Sequence, residues 1–135
     1  MTTTHSRYPV FVLMLLSASL GLSALVADRV RPGQWVGKTV VAGKTYPTSS
    51  CMSPGDATAL NGDAKSIQGY LENIIPPEIC KITDVKVDGG QIVYTASCGR
   101  GGSKIVTTSY HGDRSEGTDS TGGKTEAKLV GPCKP

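Results

Sequence analysis

The chain has 135 residues, of which 38% are hydrophobic, 5% aromatic and 19% charged, with a formal net charge of +3. This length favours one domain over two, and this hydrophobic content excludes a wholly disordered chain. The 17 glycines form no Gly-X-Y repeat, which excludes collagen. The net charge is small and the basic residues are scattered along the sequence, so neither nucleic acid nor anionic lipid is predicted as a partner.

Residues 1–27 have the pattern of a secretory signal peptide. Arg7 makes the first residues positive, and the apolar segment that follows is uncharged up to Ala27. Cleavage is predicted after Ala27, with Ala24 as the alternative site, and leaves residues 28–135 as a single β-rich domain. The other interpretation is an uncleaved anchor, because 19 uncharged residues just suffice to span a bilayer. We predict cleavage, and therefore a periplasmic or secreted protein that is not stably inserted in a membrane.

Four cysteines lie in the part of the chain that is predicted to be exported. An even number in an oxidising compartment predicts two disulfide bonds. Of the three possible connectivities we favour Cys80–Cys98, which would join the ends of one hairpin, with Cys51–Cys133, which would tie an early strand to the last one. Metal binding is disfavoured because no Cys-x-x-Cys pair is present, so no metal and no other cofactor is predicted.

The predicted domain begins with a pair of strands. Residues 31–41 and residues 44–51 are β-prone and are separated by a turn at Ala42-Gly43. Pro47 has no backbone N–H to donate, so the second strand is expected at a sheet edge or at a bulge.

A helical segment follows the second strand. Ser53 as N-cap, with Pro54 at the first helical position, predicts a helix start, and Asn61 with the glycine after it predicts a break. Asp63 then begins a longer helix that ends near Ile75, before a Pro-Pro pair. One face of this helix carries four apolar residues, Ile67, Tyr70, Leu71 and Ile74. This stripe favours a helix that packs on a sheet over a helix that binds a partner.

The clearest element is a β-hairpin within residues 80–98. A two-residue turn at Gly89-Gly90 pairs Val87 with Ile92 and Val85 with Tyr94. In this register the buried face carries Thr83, Val85, Val87, Ile92, Tyr94, Ala96 and Cys98, and Ile82 lies on the outer face.

This register conflicts with the favoured disulfide. It places Cys80 on the outer face and Cys98 on the inner face, and a shift of one residue exchanges the two faces of a strand. Either a β-bulge reconciles the two requirements or the Cys80–Cys98 pairing is wrong.

Glycine-rich turns punctuate the rest of the chain. They separate residues 103–111, 114–121 and 124–130, which predict three short strands. The predicted fold class is mainly β (α+β): an antiparallel meander of about seven strands, stabilised by disulfides, with one helix inserted after the second strand. Such a chain forms either a curved sheet wrapped on the helix or a small barrel, and a barrel could hold an apolar ligand in its mouth.

Four features occur together in this chain in a recognisable order. They are Arg31-Pro-Gly-Gln-Trp35, Cys51-Met-Ser-Pro-Gly-Asp56 before the helix, the Cys80…Cys98 hairpin and Leu129-Val-Gly-Pro-Cys133 at the end. Over residues 31–133 the chain resembles the family catalogued as domain of unknown function 3617. The members of that family are small exported proteins of Gram-negative bacteria. The resemblance implies export and a disulfide-bearing β-rich domain, and it implies no reaction.

The sequence offers few groups for catalysis. His111 is the one histidine after residue 27, and a triad with Asp113 or Asp119 would need a buried partner. Gly-Lys-Thr occurs three times, but each copy lacks the earlier glycine that a phosphate-binding loop requires. No catalytic residue is therefore predicted. Trp35 and Tyr94 are the candidates for a ligand pocket, although core packing is favoured for both because the domain has few other large side chains.

Together these patterns predict a non-enzymatic structural or protein-binding module outside the cytoplasm. A protein partner would contact an exposed strand edge or the helix. The alternative is a carrier of a small apolar ligand in a barrel-like pocket, and a hydrolase that uses His111 is the third hypothesis.

Overall fold

The computed structural model of the protein describes residues 28–135, and the predicted signal segment, residues 1–27, lies outside the described residues. The strands are β1 (Gly33–Val41), β2 (Lys44–Met52), β3 (Lys81–Asp88), β4 (Gln91–Cys98), β5 (Gly102–His111), β6 (Arg114–Asp119) and β7 (Lys124–Gly131). The helices are α1 (Pro54–Leu60) and α2 (Ala64–Ile74), and a 3₁₀ turn, Gly99–Gly101, joins β4 to β5.

The seven strands form one antiparallel sheet in the order β2-β1-β7-β6-β5-β4-β3. Strands β3 to β7 are the predicted meander, and the β1–β2 hairpin joins it because β1 pairs with β7. The edge strands β2 and β3 do not pair with each other, so the sheet is open and the barrel alternative is excluded. Pro47 lies in an edge strand, as its missing N–H predicted.

The helical segment connects the two edge strands and covers part of one face of the sheet, which we call the inner face. The Ser53 hydroxyl accepts the backbone N–H of Asp56 at 3.1 Å, and the Asp56 carboxylate accepts the Ser53 N–H, which completes a capping box at α1. α1 ends at Leu60, just before the predicted break at Asn61, and Asp63 caps α2. The segment therefore forms two helices rather than the one counted in the predicted fold class.

The core lies between α2 and the covered part of the inner face. Ile67 and Leu71 of α2 are buried together with Trp35 of β1 and Ile92 of β4. Ile74, the last residue of the predicted apolar stripe, is instead 52% exposed at the rim of a depression between α2 and the sheet. The helix thus covers the sheet at its start and leaves it open at its end.

Val30 anchors the beginning of the described chain in this core, with a fully buried side chain. The Asn61 side chain pairs with its backbone: Oδ1 accepts the Val30 N–H at 2.7 Å, and Nδ2 donates to the Val30 carbonyl at 2.8 Å. Arg29 donates to the backbone carbonyls of Leu60 and Gly89. Asn61 therefore not only ends α1 but also supplies the hydrogen-bond partners that the buried backbone of Val30 requires.

Disulfide bonds join Cys51 to Cys133 and Cys80 to Cys98, which is the connectivity favoured from the sequence. Cys51 lies in the edge strand β2, and Cys133 follows β7. Because β1 lies between β2 and β7, the chain after β7 crosses the end of β1 to bring Cys133 within 5.3 Å of Cys51 (Cα–Cα). The bond thereby holds the β1–β2 hairpin on the rest of the sheet.

A β-bulge in β3 removes the conflict between the hairpin register and the second disulfide. Val87 faces Ile92 as predicted, but two residues, Asp84 and Val85, stand opposite Tyr94. The predicted one-to-one pairing of Val85 with Tyr94 was therefore wrong. Asp84 has a φ of +55°, a left-handed conformation that Asp adopts more readily than most residues.

The bulge exchanges the two faces over the first part of β3. Ile82, which the uninterrupted register placed on the outer face, pairs with Ala96 and is only 2% exposed. Thr83 takes the outer position in its place. Cys80 is thereby brought to the face of Cys98, with which it bonds.

Tyr110 of β5 contacts the core through an edge-on aromatic pair with Trp35, at 6.4 Å between ring centroids. Burial raises the pKa of the Tyr110 phenol to about 12, and the neighbouring Tyr70 and Tyr94 add to the shift. The raised pKa means that the unfolded chain loses this proton near pH 10 while the folded protein keeps it. The Tyr110 contribution to stability is therefore complete below pH 10 and is lost as the pH rises toward 12.

We expect the free energy of unfolding to fall by about 3 kcal/mol between pH 10 and pH 12 as this contribution is lost. Urea unfolding at a series of pH values measures the fall. Tyr110→Phe keeps the ring and removes the ionisable group, so this variant should lose much less stability over the same range. A wild-type protein whose stability is the same at pH 9 and pH 12 would contradict the prediction.

Candidate binding cleft

The uncovered part of the inner face forms a cleft of about 430 Å³ beside the end of α2. Residues directly opposite one another on neighbouring strands share a face, so the strand register decides which side chains form its floor. One row of the floor consists of Thr39, Thr125, Gly117 and Thr108, on β1, β7, β6 and β5. A second row consists of Asp119, Val106 and Tyr94, on β6, β5 and β4.

Small side chains leave space on the cleft floor, and apolar groups form much of its walls. Gly117 and Ala96 leave room above the floor, while Ile75 and the Cys80–Cys98 disulfide form the side next to α2. Val41 and Val106 add apolar surface. The arrangement can accommodate a small ligand that has apolar surface.

Several polar groups on the cleft floor already have a hydrogen-bond partner or keep their proton. The hydroxyls of Thr39 and Thr125 hydrogen-bond to each other at 3.1 Å. Burial raises the pKa of Tyr94, which keeps its phenol protonated. These groups can orient a ligand by hydrogen bonding, but none of them is prepared to accept a proton.

An ion pair marks the end of the cleft next to the β6–β7 turn. Lys104 Nζ lies 3.6 Å from Asp119 Oδ2. The other oxygen, Asp119 Oδ1, accepts the backbone N–H of Thr121 at 2.8 Å and of Gly123 at 3.2 Å, as well as the Thr121 hydroxyl. The Thr121 hydroxyl is the main cause of the lowered pKa of Asp119, followed by these N–H groups and Lys104. Asp119 is thus an ionised residue that holds the turn in place.

The structure separates the two sequence candidates for a ligand pocket. Trp35 is 5% exposed, and its indole N–H donates to the Arg31 carbonyl at 3.0 Å, so it is a core residue away from the cleft. Tyr94 is half-buried and lines the cleft beside Val106. The cleft therefore contains one of the two candidates.

Within residues 28–135, no ion pair joins His111 to either of the acidic residues considered for a hydrolytic site. His111 is exposed at the β5–β6 turn, next to Asp113, whereas Asp119 lies at the other end of β6. Five residues of extended chain separate the two ends of β6 by about 17 Å. Among residues 28–135, no group of three or more His, Cys, Asp or Glu side chains is placed to hold a metal ion.

Sequence reasoning missed most of the cleft. Thr39 in β1, Val106 in β5 and Ile75 just after α2 are unremarkable in the sequence and far apart along it. The alternation of Thr39 and Val106 with outward-facing residues could have assigned these two to an inner face. It could not have shown that β1 and β4 border the same cleft, because that depends on β1 pairing with β7.

The family model described as "Protein of unknown function (DUF3617)" matches residues 30–133. The chain belongs to this family. The matched residues run from the buried Val30 to Cys133, so they include all seven strands, both helices and both disulfides of the structure. The resemblance drawn from the sequence motifs is confirmed. No curated protein and no solved structure matches the chain.

Two further features of residues 28–135, the length of the helices and the disulfides, concern membranes and export. Within residues 28–135, neither helix is long and apolar enough to cross a bilayer. The two disulfides are compatible with an exported protein, because such bonds persist in oxidising compartments.

Proposed function

We propose that this protein is an exported, non-enzymatic binding domain that holds a small apolar ligand in its cleft. The cleft on the inner face carries the proposal, because it is an apolar-walled depression of about 430 Å³ in a sheet that its own helices leave partly uncovered. Export is supported by the signal-peptide pattern of residues 1–27 and by the two disulfides. The separation of His111 from Asp119 favours binding over hydrolysis.

The two sheet edges favour a ligand in the cleft over a protein partner that adds a strand. Pro47 removes one donor from the β2 edge, and the bulge at Asp84 and Val85 interrupts the β3 edge. Exposed lysines, Lys81 and Lys86, flank that bulge. Proline, bulges and edge lysines are the devices that keep sheet edges from pairing with another chain.

Filling the cleft should weaken ligand binding strongly without unfolding the protein. Thr125 lies on the cleft floor with an exposed side chain, so Thr125→Trp would occupy the space of the ligand. We expect the variant to bind the neutral apolar dye N-phenyl-1-naphthylamine at least about tenfold more weakly than wild type, since the dye would lose most of its apolar contact area. Fluorescence titration measures the affinity, and native mass spectrometry of protein purified after export shows any ligand that copurifies.

The matched control is Thr45→Trp. Thr45 is an exposed threonine on β2 that does not line the cleft, and it pairs with Val40, which alternates with the cleft residue Thr39, so it points to the opposite face. This variant should bind the dye as wild type does. Equal weakening in both variants, or no saturable binding to the wild-type protein, would reject the cleft as the ligand site.

A further inference from the structure

One end of the sheet collects segments that are far apart in the sequence. In an antiparallel sheet, alternate turns lie at the same end, and here these are the β1–β2, β4–β5 and β6–β7 turns together with the α2–β3 connection. We call this end the basal surface and define it by residues 41–46, 74–81, 98–105 and 119–124. Pairs that join these segments include Cys80 with Cys98 and Lys104 with Asp119.

The basal surface is positively charged, although the chain as a whole is nearly neutral. It has five basic residues, Lys44, Lys81, Arg100, Lys104 and Lys124, and two acidic residues, Glu78 and Asp119. The remaining described residues have eight basic and nine acidic side chains. The sequence-based expectation that no anionic lipid is a partner rested on basic residues being scattered, and the fold brings them together.

Exposed apolar side chains are concentrated at the same end. The described chain has seven large hydrophobic residues that are mostly exposed, and five of them belong to the basal surface: Val41, Tyr46, Ile74, Ile79 and Ile105. Ile79 is the most exposed of the seven, at 64%. Large apolar groups surrounded by basic residues are the combination that binds an anionic membrane surface, where the apolar groups enter the interface and the cations meet lipid headgroups.

The cleft borders this surface. Each of the four basal segments contributes to its lining, through Val41, Ile75, Cys98 and Asp119 among others. A membrane that contacted the basal surface would therefore lie next to the cleft.

From the charge, the exposed apolar groups and this placement, we infer that the basal surface docks reversibly on an anionic phospholipid bilayer. The lipid headgroup phosphates are the partner of Lys44, Lys81 and Arg100, and Ile79 with Ile74 enters the interface. Docking of this kind needs no membrane-spanning helix. It also does not depend on the occupant of the cleft, so vesicle binding succeeds or fails separately from dye binding.

Vesicle flotation tests the inference with the full chain, purified after export with both disulfides intact. Wild type should bind vesicles that contain phosphatidylglycerol, bind vesicles of phosphatidylcholine alone at least about tenfold more weakly, and dissociate as salt rises to about 0.5 M. Binding to neither kind of vesicle at low salt would overturn the inference. Equal binding to both kinds would overturn it as well.

Paired variants locate the surface. Lys44→Gln with Arg100→Gln should weaken partitioning into anionic vesicles by about 30-fold, since each basic residue at such a surface contributes about fivefold. Lys65→Gln with Lys134→Gln makes the same change in net charge at exposed positions outside the basal surface, and it should stay within about twofold of wild type. Equal loss in the two pairs would show that net charge alone attracts the protein, which would overturn the inference.

A second pair tests the apolar part of the contact. Ile79→Gln should weaken binding by about tenfold, because a large apolar side chain no longer enters the interface. Val130→Gln changes an exposed apolar residue outside the basal surface and should have no effect. An unchanged melting temperature establishes that each variant is folded. Unaltered binding of a folded Ile79→Gln protein would exclude this side of the molecule as the docking face.

Discussion

Replacing Cys51 and Cys133 by serine is expected to lower the free energy of unfolding by about 4.5 kcal/mol. The bond joins residues 82 positions apart, so in the unfolded chain it closes a loop that contains most of the domain. Cross-linking reduces the entropy of the unfolded chain more strongly for longer loops. A domain typically has a total stability of about 5–15 kcal/mol, so the variant should lose between about a third and nearly all of it.

The comparison is with Cys80→Ser/Cys98→Ser. This bond spans only 18 positions, and its loss is expected to cost about 3 kcal/mol. Urea unfolding of both variants, and of the wild type with and without a reductant, measures the two contributions. If complete reduction left the wild-type melting temperature unchanged, the disulfides would not stabilise this fold. A reversed order of the two variants would show that native strain, rather than loop length, decides the effect.

Gly37→Ala is expected to destabilise the protein by about 3 kcal/mol or more. A Cβ atom at Gly37 would lie 1.9 Å from the carbonyl oxygen of Glu126 and 2.6 Å from the Cα of Ala127. Both atoms belong to the backbone of β7, so no side-chain rotation can relieve the contact, and β1 would have to move away from β7. The loss would reach the β1–β2 hairpin, because β1 is its link to the rest of the sheet.

Gly69→Ala is the matched control for this substitution. Gly69 lies in α2, where an added Cβ meets no atom within 4 Å. The helix propensity of Ala should therefore raise stability by about 0.5–1 kcal/mol. Thermal unfolding of the two variants gives opposite signs if the backbone contact is as close as described. A Gly37→Ala protein that melts within a degree or two of wild type would show that β1 and β7 accommodate a methyl group.

Local chemistry explains why the element boundaries were predictable. Ser53 and Asp63 cap the two helices by accepting backbone N–H groups a few residues ahead, and these bonds involve no distant part of the chain. The Gly89-Gly90 turn likewise determines the pairing of Val87 with Ile92 next to it. The error began only beyond the bulge at Asp84, because an extra residue in one strand leaves the alternation of the sequence unchanged up to that point.

The cleft was only partly predictable. Tyr94 was identified as a pocket candidate, and it lines the cleft. The same argument from composition favoured Trp35, but its side chain is buried in the core together with Leu60 of α1 and Ile67 of α2. A large aromatic side chain indicates a site of extensive contact, but whether a helix or a ligand supplies that contact depends on where the helix ends.

By itself, the sequence determined the number of strands and their order along the chain, the capped helical segment and the family, since each depends on neighbouring residues or on ordered motifs. It favoured the two disulfide pairs without deciding them, because the predicted hairpin register conflicted with Cys80–Cys98. The tertiary structure decided that the sheet stays open, that Ile82 rather than Thr83 is buried, and that the cleft and the basic end of the sheet adjoin. These features depend on which strands pair and on one extra residue in β3, and both follow from the free energy of the whole packed chain rather than from any local pattern.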